Sequence, residues 1–484
     1  MKKQYLFCRI CSKIKFMDKE RKKRIQTIKL IITEILMVIA VVAIVIILTF
    51  LAMGYNVNKD GDLAQSGLLQ LKSIPTGARI EIDDEIISPK TNMSRMLPAG
   101  QHSLKLEKEG YDTWEKEITS EAGWLLKIEY PRLFLKNRTK EKVREYQEGA
   151  NLISASIDGS YIVYVTKDNT KLKLLNIRGD DISETEYDIS KYLGEATPDR
   201  VYWNKNDDKV LISAKNGEKN EWIVFNLRDM SSSMNVTAEF KMDFSMIKFG
   251  SLSGDKLLAL ENGNLRSISI NDKTVTQVLA ENVSDFSNND NALFYVGQKK
   301  IGEENIRGVL MYQEGNEDIL LKEVADGTVV KLANHTYLGR KYLDIAEDNH
   351  LFIYRGDYPT EDFGISEMEL LIDAEIAVAP EEMGVFASEQ LMIARNGGAV
   401  AVFDAELSKL TEYDLESTKV FFLDNYLVGT IQDGKLYARD FDGSNKRELA
   451  EAGRFGVISK NDKWLYYDYV IDSKTNIFRE KILD

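Results

Sequence analysis

DGSYIVYV, Asp158 to Val165, is a polar turn running straight into a short apolar strand, and the chain repeats the pattern. The further copies are DDKVLISA at Asp207, GDKLLALE at Gly254, DNALFYVG at Asp290, DNHLFIYR at Asp348, SEQLMIAR at Ser388, DNYLVGTI at Asp424 and NDKWLYYD at Asn461. Asp and Asn suit such turns because their side chains hydrogen-bond the backbone two residues on and tolerate positive φ. The β-branched and aromatic residues that follow fit a half-buried pleated surface. Each copy is followed by another strand, such as KLKLLNI, EWIVFNL, NLRSISI, GVLMYQE, AVAVFDA or KLYARDF, and then by a third piece of alternating apolar residues. The mean period is about 41 residues. The interval from Asp290 to Asp348 is the widest, and GQKKIGEENIRG within it reads as a hairpin extension.

A period of about 40–45 residues with four strands per repeat is the sequence mark of a β-propeller blade. The segment resembles TolB-like propellers. That likeness is carried by KLYARDFDGSNKREL, Lys435 to Leu449, where Asp442-Gly443 turns the third strand into the fourth, and by Asp158-Gly159 in the turn between the first and second. Asp207 and Asp348 are assigned the same first-turn role. The count expected is eight blades, with seven as the alternative. The last repeat, FGVISKNDKWLYYDYVIDSKTNIFREKIL, holds three strands only, so KVREYQEG, Lys142 to Gly149, is expected to supply its fourth. Calcium at the turn aspartates is the competing reading; backbone hydrogen bonding accounts for the same residues without a metal.

Upstream lies ILMVIAVVAIVIILTFLAM, Ile35 to Met53, uncharged throughout and about 30 Å long as a helix. Residues 1–29 before it carry eleven Lys or Arg against Asp18 and Glu20; the flank from Gly54 to Gly67 carries one Lys and two Asp. The positive-inside rule then expects the N-terminus in the cytoplasm and the body outside. The long basic lead and long apolar core favour an uncleaved signal anchor over a cleaved signal. Glu34 falls at the cytoplasmic border, within reach of headgroup water. Without the tail the chain has 52 basic and 75 acidic residues, which argues against nucleic acid and against docking on anionic lipid through the body. Both cysteines, Cys8 and Cys11, lie in the tail, so the body has no disulfide to rely on. Their CxxC spacing is half a zinc or redox site, and free thiols are the simpler reading.

NVNKDGDLAQSG, Asn56 to Gly67, imitates a calcium loop but ends on Gly67 where a Glu is needed, and reads as a linker. Then comes GLLQLKSIPTGARIEIDDEIISPKTNMSRMLPAGQHSLKLEKEGYDTWEKEI, Gly67 to Ile118, which resembles a PEGA domain, a small β-rich extracytoplasmic module. The landmarks are Gly67, Pro75, Gly77-Ala78, Asp83, Gly100, His102 and Gly110-Tyr111. Thr76 replaces the Glu of the eponymous tetrapeptide, and Asp84 and Ser88 are smaller departures. Each landmark has a local reason: Leu69/Leu71, Ile80/Ile82 and Leu104/Leu106 alternate as strands with one buried face, and Pro-Gly pairs turn the chain between them. These residues are therefore a folding signature. His102 is expected to be packed or hydrogen-bonded.

The chain is thus expected to be mainly β: a cytoplasmic tail (1–29), a transmembrane signal anchor (30–55), a linker (56–66), a small β-sandwich-like PEGA domain (67–136) and a propeller (137–484), with 142–149 completing the last blade. No P-loop, G-x-S-x-G, GxGxxG after a strand or HExxH occurs, and His102, His335 and His350 show no partner in sequence. No cofactor or metal is expected. The leading reading is a membrane-anchored envelope protein, in a bacterium by its leader and Cys-free exterior. It would bind cell-wall polymer or a protein partner through PEGA and propeller surfaces. The alternatives are a receptor signalling through its tail and a hydrolase of glycan or peptide, which would place several carboxylates in the propeller's central pocket. Trp114, Trp124, Trp203, Trp222 and Trp464 are read first as packing residues and second as stacking surfaces. Ligand, oligomeric state and the role of the cysteines stay open.

Overall fold

The computed structural model describes residues 29–50, 55–57, 63–250, 253–289, 292–386, 388–417 and 419–484. The basic tail with Cys8 and Cys11, residues 58–62 of the expected linker, and Asp290 lie outside the described residues; the rest of that expected linker is strand, since Tyr55–Val57 pairs antiparallel with the start of Leu63–Leu71. The apolar run forms one helix, Lys29–Phe50, of 22 residues and mean hydropathy 3.2, which is the length and composition of a membrane anchor or a signal sequence. Thr33 and Thr49 donate their hydroxyls to the carbonyls of Lys29 and Val45, both at 2.8 Å, so neither needs a partner outside the helix.

The chain divides into two compact units. One comprises residues 1–72, 79–104 and 117–129; the other comprises 73–78, 105–116 and 130–484. The stretch 67–136, expected as one module, is therefore shared between them.

In the first unit Leu63–Leu71 runs at the centre of a sheet, antiparallel to Tyr55–Val57 and Met93–Pro98 and parallel to Leu125–Ile128. The alternation read from sequence holds: Leu69 and Leu71 are fully buried, while Leu68 between them is exposed. Gly67 has a steric reason, since a Cβ there would lie 2.5 Å from the Glu121 carbonyl. The remaining strands of the region order as Glu85–Ile87, Arg79–Ile82, Gly100–Glu107, Trp114–Ser120. Asp83 and Asp84 make the tight turn at φ of 51° and 65°.

The second unit contains, among the described residues, eight four-stranded antiparallel sheets in chain order. Sheets one to seven span 150–188, 197–235, 244–275, 285–323, 330–375, 382–414 and 420–451. The eighth takes three strands from 456–481 and its fourth from Lys140–Tyr146, which pairs antiparallel with Lys474–Lys481. That strand begins two residues before the segment expected to fill the place. The core lies between successive sheets. Val163 and Val165 of sheet one, for example, pack on Val210 and Ile212 of sheet two, and Tyr146, Trp464 and Tyr466 of sheet eight pack on Ile162 and Tyr164 of sheet one. Each such buried side chain contributes about 1.5–3 kcal/mol of transfer free energy.

One repeat was read in the wrong register. Asp348 sits at φ 51° between the second and third strands of sheet five, Arg340–Glu347 and His350–Arg355. The first turn of that sheet is Leu338-Gly339, at φ 48° and 76°. It reaches the same backbone through glycine and carries no Asx signature, which is why the interval from Asp290 to Asp348 looked too wide. The extension read in GQKKIGEENIRG is the hairpin of Ala292–Ile301 with Glu304–Met311.

Candidate functional site

The turns that join first to second strands repeat one piece of chemistry. A Ser, Asn or Asp at the end of the first strand accepts the backbone N–H groups that follow. Ser156 Oγ takes Ser160 N and Tyr161 N at 3.0 Å, Asn204 Oδ1 takes Lys209 N at 2.8 Å, and Asp424 Oδ1 takes Tyr426 N and Leu427 N at 2.8 Å. Turns of neighbouring sheets then meet. Asp158 accepts from Ser160 N (2.8 Å), the Ser160 hydroxyl (2.6 Å) and Lys460 of sheet eight (2.8 Å). Burial alone would raise the Asp158 carboxyl, but Lys460 and the serine donors outweigh it and hold it at about 2. Asp207, buried beside it, is pushed up to about 8 by burial and by the Asp158 charge. No group of three or more His, Cys, Asp or Glu among the described residues is placed to hold a metal ion.

The sign of the Asp207 shift makes a prediction. Between about pH 4, where an unfolded aspartate ionises, and pH 8, the folded chain keeps a proton that the unfolded chain has released, so stability falls as pH rises through that window. Asp207→Asn imitates the protonated acid and tolerates the positive φ of 52°. It is expected to leave stability at pH 4 unchanged and to add about 2 kcal/mol at pH 8, after allowance for partial solvent screening. Urea unfolding at the two pH values measures this; equal midpoint shifts at both would contradict it.

Asp442-Gly443 turns between Lys435–Asp440 and Arg447–Glu451, the third and fourth strands of sheet seven, where the sequence put it. The Asp442 carboxylate pairs with Lys116 and accepts the Ser444 hydroxyl at 2.6 Å. Nearby, Trp114 donates its indole N–H to Asp440 at 2.7 Å, and Arg132 binds Asp424 at 3.0 Å and Asp462 at 2.5 Å, so it ties the turns of sheets seven and eight. Tyr111 accepts Asp484 N at 3.1 Å, Pro75 accepts the Ser73 hydroxyl at 2.6 Å, and Ala78 is fully buried. Gly77, Gly100 and Gly110 adopt φ of 79°, 143° and 82°. The landmark residues are thus turn and packing residues in both units.

A cavity of about 570 Å³ is bounded by the first strands of sheets two to seven. Its charged lining is organised into pairs. Glu382, on the first strand of sheet six, receives Arg395 from the adjacent strand of its own sheet at 3.0 and 2.7 Å on one oxygen, and Arg200 from sheet two on the other. Outside the lining, in the turns after these first strands, Lys205 of sheet two reaches Glu389 of sheet six at 2.5 Å. Burial and the nearby Arg200 charge draw the Arg395 guanidinium below its usual range. On another wall Lys248 donates to the Phe286 carbonyl at 2.5 Å and lies 3.4 Å from Asp285, which also accepts Leu332 N at 3.0 Å. Aromatic rings line the space between these pairs. Tyr202 stacks on Trp222, whose indole N–H is fixed to the Phe244 carbonyl at 2.8 Å, and Phe386 stacks on Phe422 at 4.2 Å. Four carboxylates face this cavity, as a hydrolase would need: Glu382 and Asp285 are engaged by cations, Asp199 lies 4.0 Å from Arg200, and Glu381 stands beside Glu382.

The histidines have partners that their sequence context hid. His102 bonds Asp83 at 2.6 Å and the Pro98 carbonyl at 2.8 Å, and it holds Asp83 below the usual carboxylate range. His350 bonds Asp373 at 2.6 Å. His335 is fully buried: one ring nitrogen meets the Glu389 carbonyl at 2.7 Å and the other lies 3.3 Å from Asp344, itself fully buried. In each case the carboxylate arrives from a different strand, or across a turn. Both ring nitrogens of His102 are hydrogen-bonded, and His335, fully buried with Nε2 facing Asp344 across 3.3 Å, is closed to a substrate by burial. Of the tryptophans, Trp114, Trp222 and Trp464 are buried and Trp124 is exposed.

Residues 66–132 match the PEGA domain family. A comparison with curated proteins finds no match. Among solved structures the chain is similar to the β-propeller domain of Cps50 (Swd1) from Myceliophteria thermophila, at 11% identity and a TM-score of 0.39, over 70% of this chain and 99% of that one. It is similar also to dipeptidyl peptidase 4 of Porphyromonas gingivalis, at 12% identity and 0.43, over 67% and 57%, and to the tricorn protease, at 14% and 0.38, over 72% and 38%. At such identities and scores these likenesses carry nothing about activity or partners. The chain is a mainly β protein with an N-terminal apolar helix and a segment similar to PEGA domains.

Proposed function

We propose that this chain is a membrane-anchored, extracytoplasmic binding or scaffold protein of a cell envelope. Its eight sheets are the blades of one propeller, the strand Lys140–Tyr146 closes the last blade, and the cavity between the first strands is the binding site. The observation that carries this reading is the lining of that cavity: its central carboxylate is tied to two guanidiniums while aromatic faces stay open, an arrangement suited to holding a ligand. The apolar helix, the basic segment before it and the acidic body after it support an anchor with the body outside. The exposed Leu68, Met96 and Leu125, cross-strand neighbours on one sheet face of the first unit, support a protein partner there. Cell-wall polymer is the other partner proposed.

Expressed in a bacterium, the full chain is expected in the membrane fraction, with residues 55–484 digested by protease added to spheroplasts. The chain lacking residues 1–54 is expected in the soluble fraction. A protected body, or a truncated chain that still sediments with membrane, would sink the reading. Co-sedimentation of the full chain with isolated cell wall then separates the two partner classes.

A further inference from the structure

We propose that the cavity between the first strands takes a ligand carrying a carboxylate beside a ring with an apolar face that can stack on an aromatic side chain, and that Glu382 holds the carboxylate's place until the ligand arrives. The proposal rests on the reading of this cavity as the binding site. Two guanidiniums converge on one carboxylate, each on its own oxygen. Although Asp199 lies 4.0 Å from Arg200, the whole lining sets Arg200, Lys215, Lys248, Lys331 and Arg395 against Asp199, Asp285, Glu381 and Glu382, one positive in excess. Planar guanidiniums recognise carboxylates by such paired N–H donors, and a pair of them forms a cradle that does not care which carboxylate fills it. The bridge to Arg200 is weakly held, because the side chains of Arg200 and Glu382 are 53% and 37% exposed and solvent screens the pair; Arg395 holds Glu382 from its own sheet. A ligand carboxylate therefore displaces Glu382 from Arg200 at small cost.

The ring has a place on the same wall. Arg200 and Tyr202 are two apart on Thr197–Trp203 and so share one face of the strand, about 7 Å from each other. Tyr202 is 40% exposed and lies 6.2 Å from Trp222 with the rings inclined at 30°, and the indole hydrogen bond keeps Trp222 from turning. The wall thus offers a fixed flat surface one strand repeat from the guanidinium cradle. A volume of about 570 Å³ suits a small ligand or the end of a larger one. Arg200 belongs to sheet two and Glu382 to sheet six, so the exchange replaces a bridge between two walls by the ligand itself.

Two sources share this chemistry, an acidic sugar and an aromatic acid. Titration calorimetry on the full chain in detergent micelles would compare glucuronate with glucose and 3-phenylpropionate with 3-phenylpropanol. At least one acid is expected to bind about tenfold more tightly than its neutral counterpart, and the acid that does so identifies the source. Glu382→Gln is expected to tighten acid binding about fivefold by removing the internal competitor, and Arg395→Gln to abolish the preference for the acid. Acid and neutral forms binding alike, Glu382→Gln leaving acid affinity unchanged, or neither acid binding would each overturn the proposal. If a neutral ligand binds and Tyr202→Ala removes it, the cavity remains the binding site and only the charge assignment falls. If no small ligand binds while cell wall still co-sediments, the envelope role survives without this cavity.

Discussion

Gly159→Val is expected to unfold the larger unit at markedly lower denaturant, by about 4 kcal/mol or more, and Gly159→Ala by nearly as much. The turn Asp158-Gly159 does two things at once. Gly159 has φ of 67°, where an L side chain already costs about 1–2 kcal/mol. Its α-carbon also lies against the neighbouring strand end: a Cβ would stand 2.0 Å from the Ile458 carbonyl and 2.7 Å from Lys460 N. Those are backbone atoms, which a rotamer change cannot move aside. The Gly159 carbonyl meanwhile accepts Lys460 N at 2.9 Å, so any shift that makes room breaks a contact between sheets one and eight. Gly397 is the internal control. It has φ of 57° and open space around the site of a Cβ, so Gly397→Ala should cost about 1 kcal/mol, the conformational part alone. Urea unfolding followed by tryptophan fluorescence measures both. Equal losses at the two glycines would remove the steric argument and with it the importance of the seam between first and last sheets.

The seam was legible where local chemistry writes itself into sequence. Asx and Ser turns at Asp158, Asp207, Asp424 and Asn461 announce backbone that needs side-chain acceptors or positive φ, and the alternation behind them announces strands with one buried face. A turn that reaches the same geometry with Leu338-Gly339 left no such mark, and the repeat was misplaced there by one strand. The candidate site was hardly legible at all. Arg200 and Glu382 stand 182 residues apart, and Lys205 and Glu389 stand 184 apart. Nothing in the sequence distinguishes these charges from the many others on the strands. Which cation meets which carboxylate is decided by register and by which sheets face one another, and composition does not encode that.

His335 and Asp344 carry the last prediction: removing either one alone costs about 3–5 kcal/mol, and the chain loses stability in alkali because of them. Both are fully buried on adjacent strands, where Tyr342 stacks on the imidazole at 4.5 Å. The Asp344 oxygens have no hydrogen-bond donor of good geometry, so His335 at 3.3 Å is what offsets their burial. Burial alone would lower the imidazole, but the Asp344 charge and the Glu389 carbonyl outweigh it and raise it; burial raises Asp344. Both directions say that the folded chain keeps a proton the unfolded chain gives up. The stabilisation from the raised histidine is fully present below about pH 6.5, the unfolded value, and is lost as pH climbs through the folded one, which leaves a bare carboxylate in the core. Unfolding midpoints of the parent should therefore fall from pH 6 to pH 9, and those of a chain with His335→Phe and Asp344→Leu should not, once Asp207→Asn has been introduced into both to silence the other group that titrates there. The double variant puts apolar atoms among Ala333, Ala346 and Ile353 and should recover at least half the loss of either single variant. A single variant within about 1 kcal/mol of the parent would show that the pair is not the buried charge couple its geometry describes.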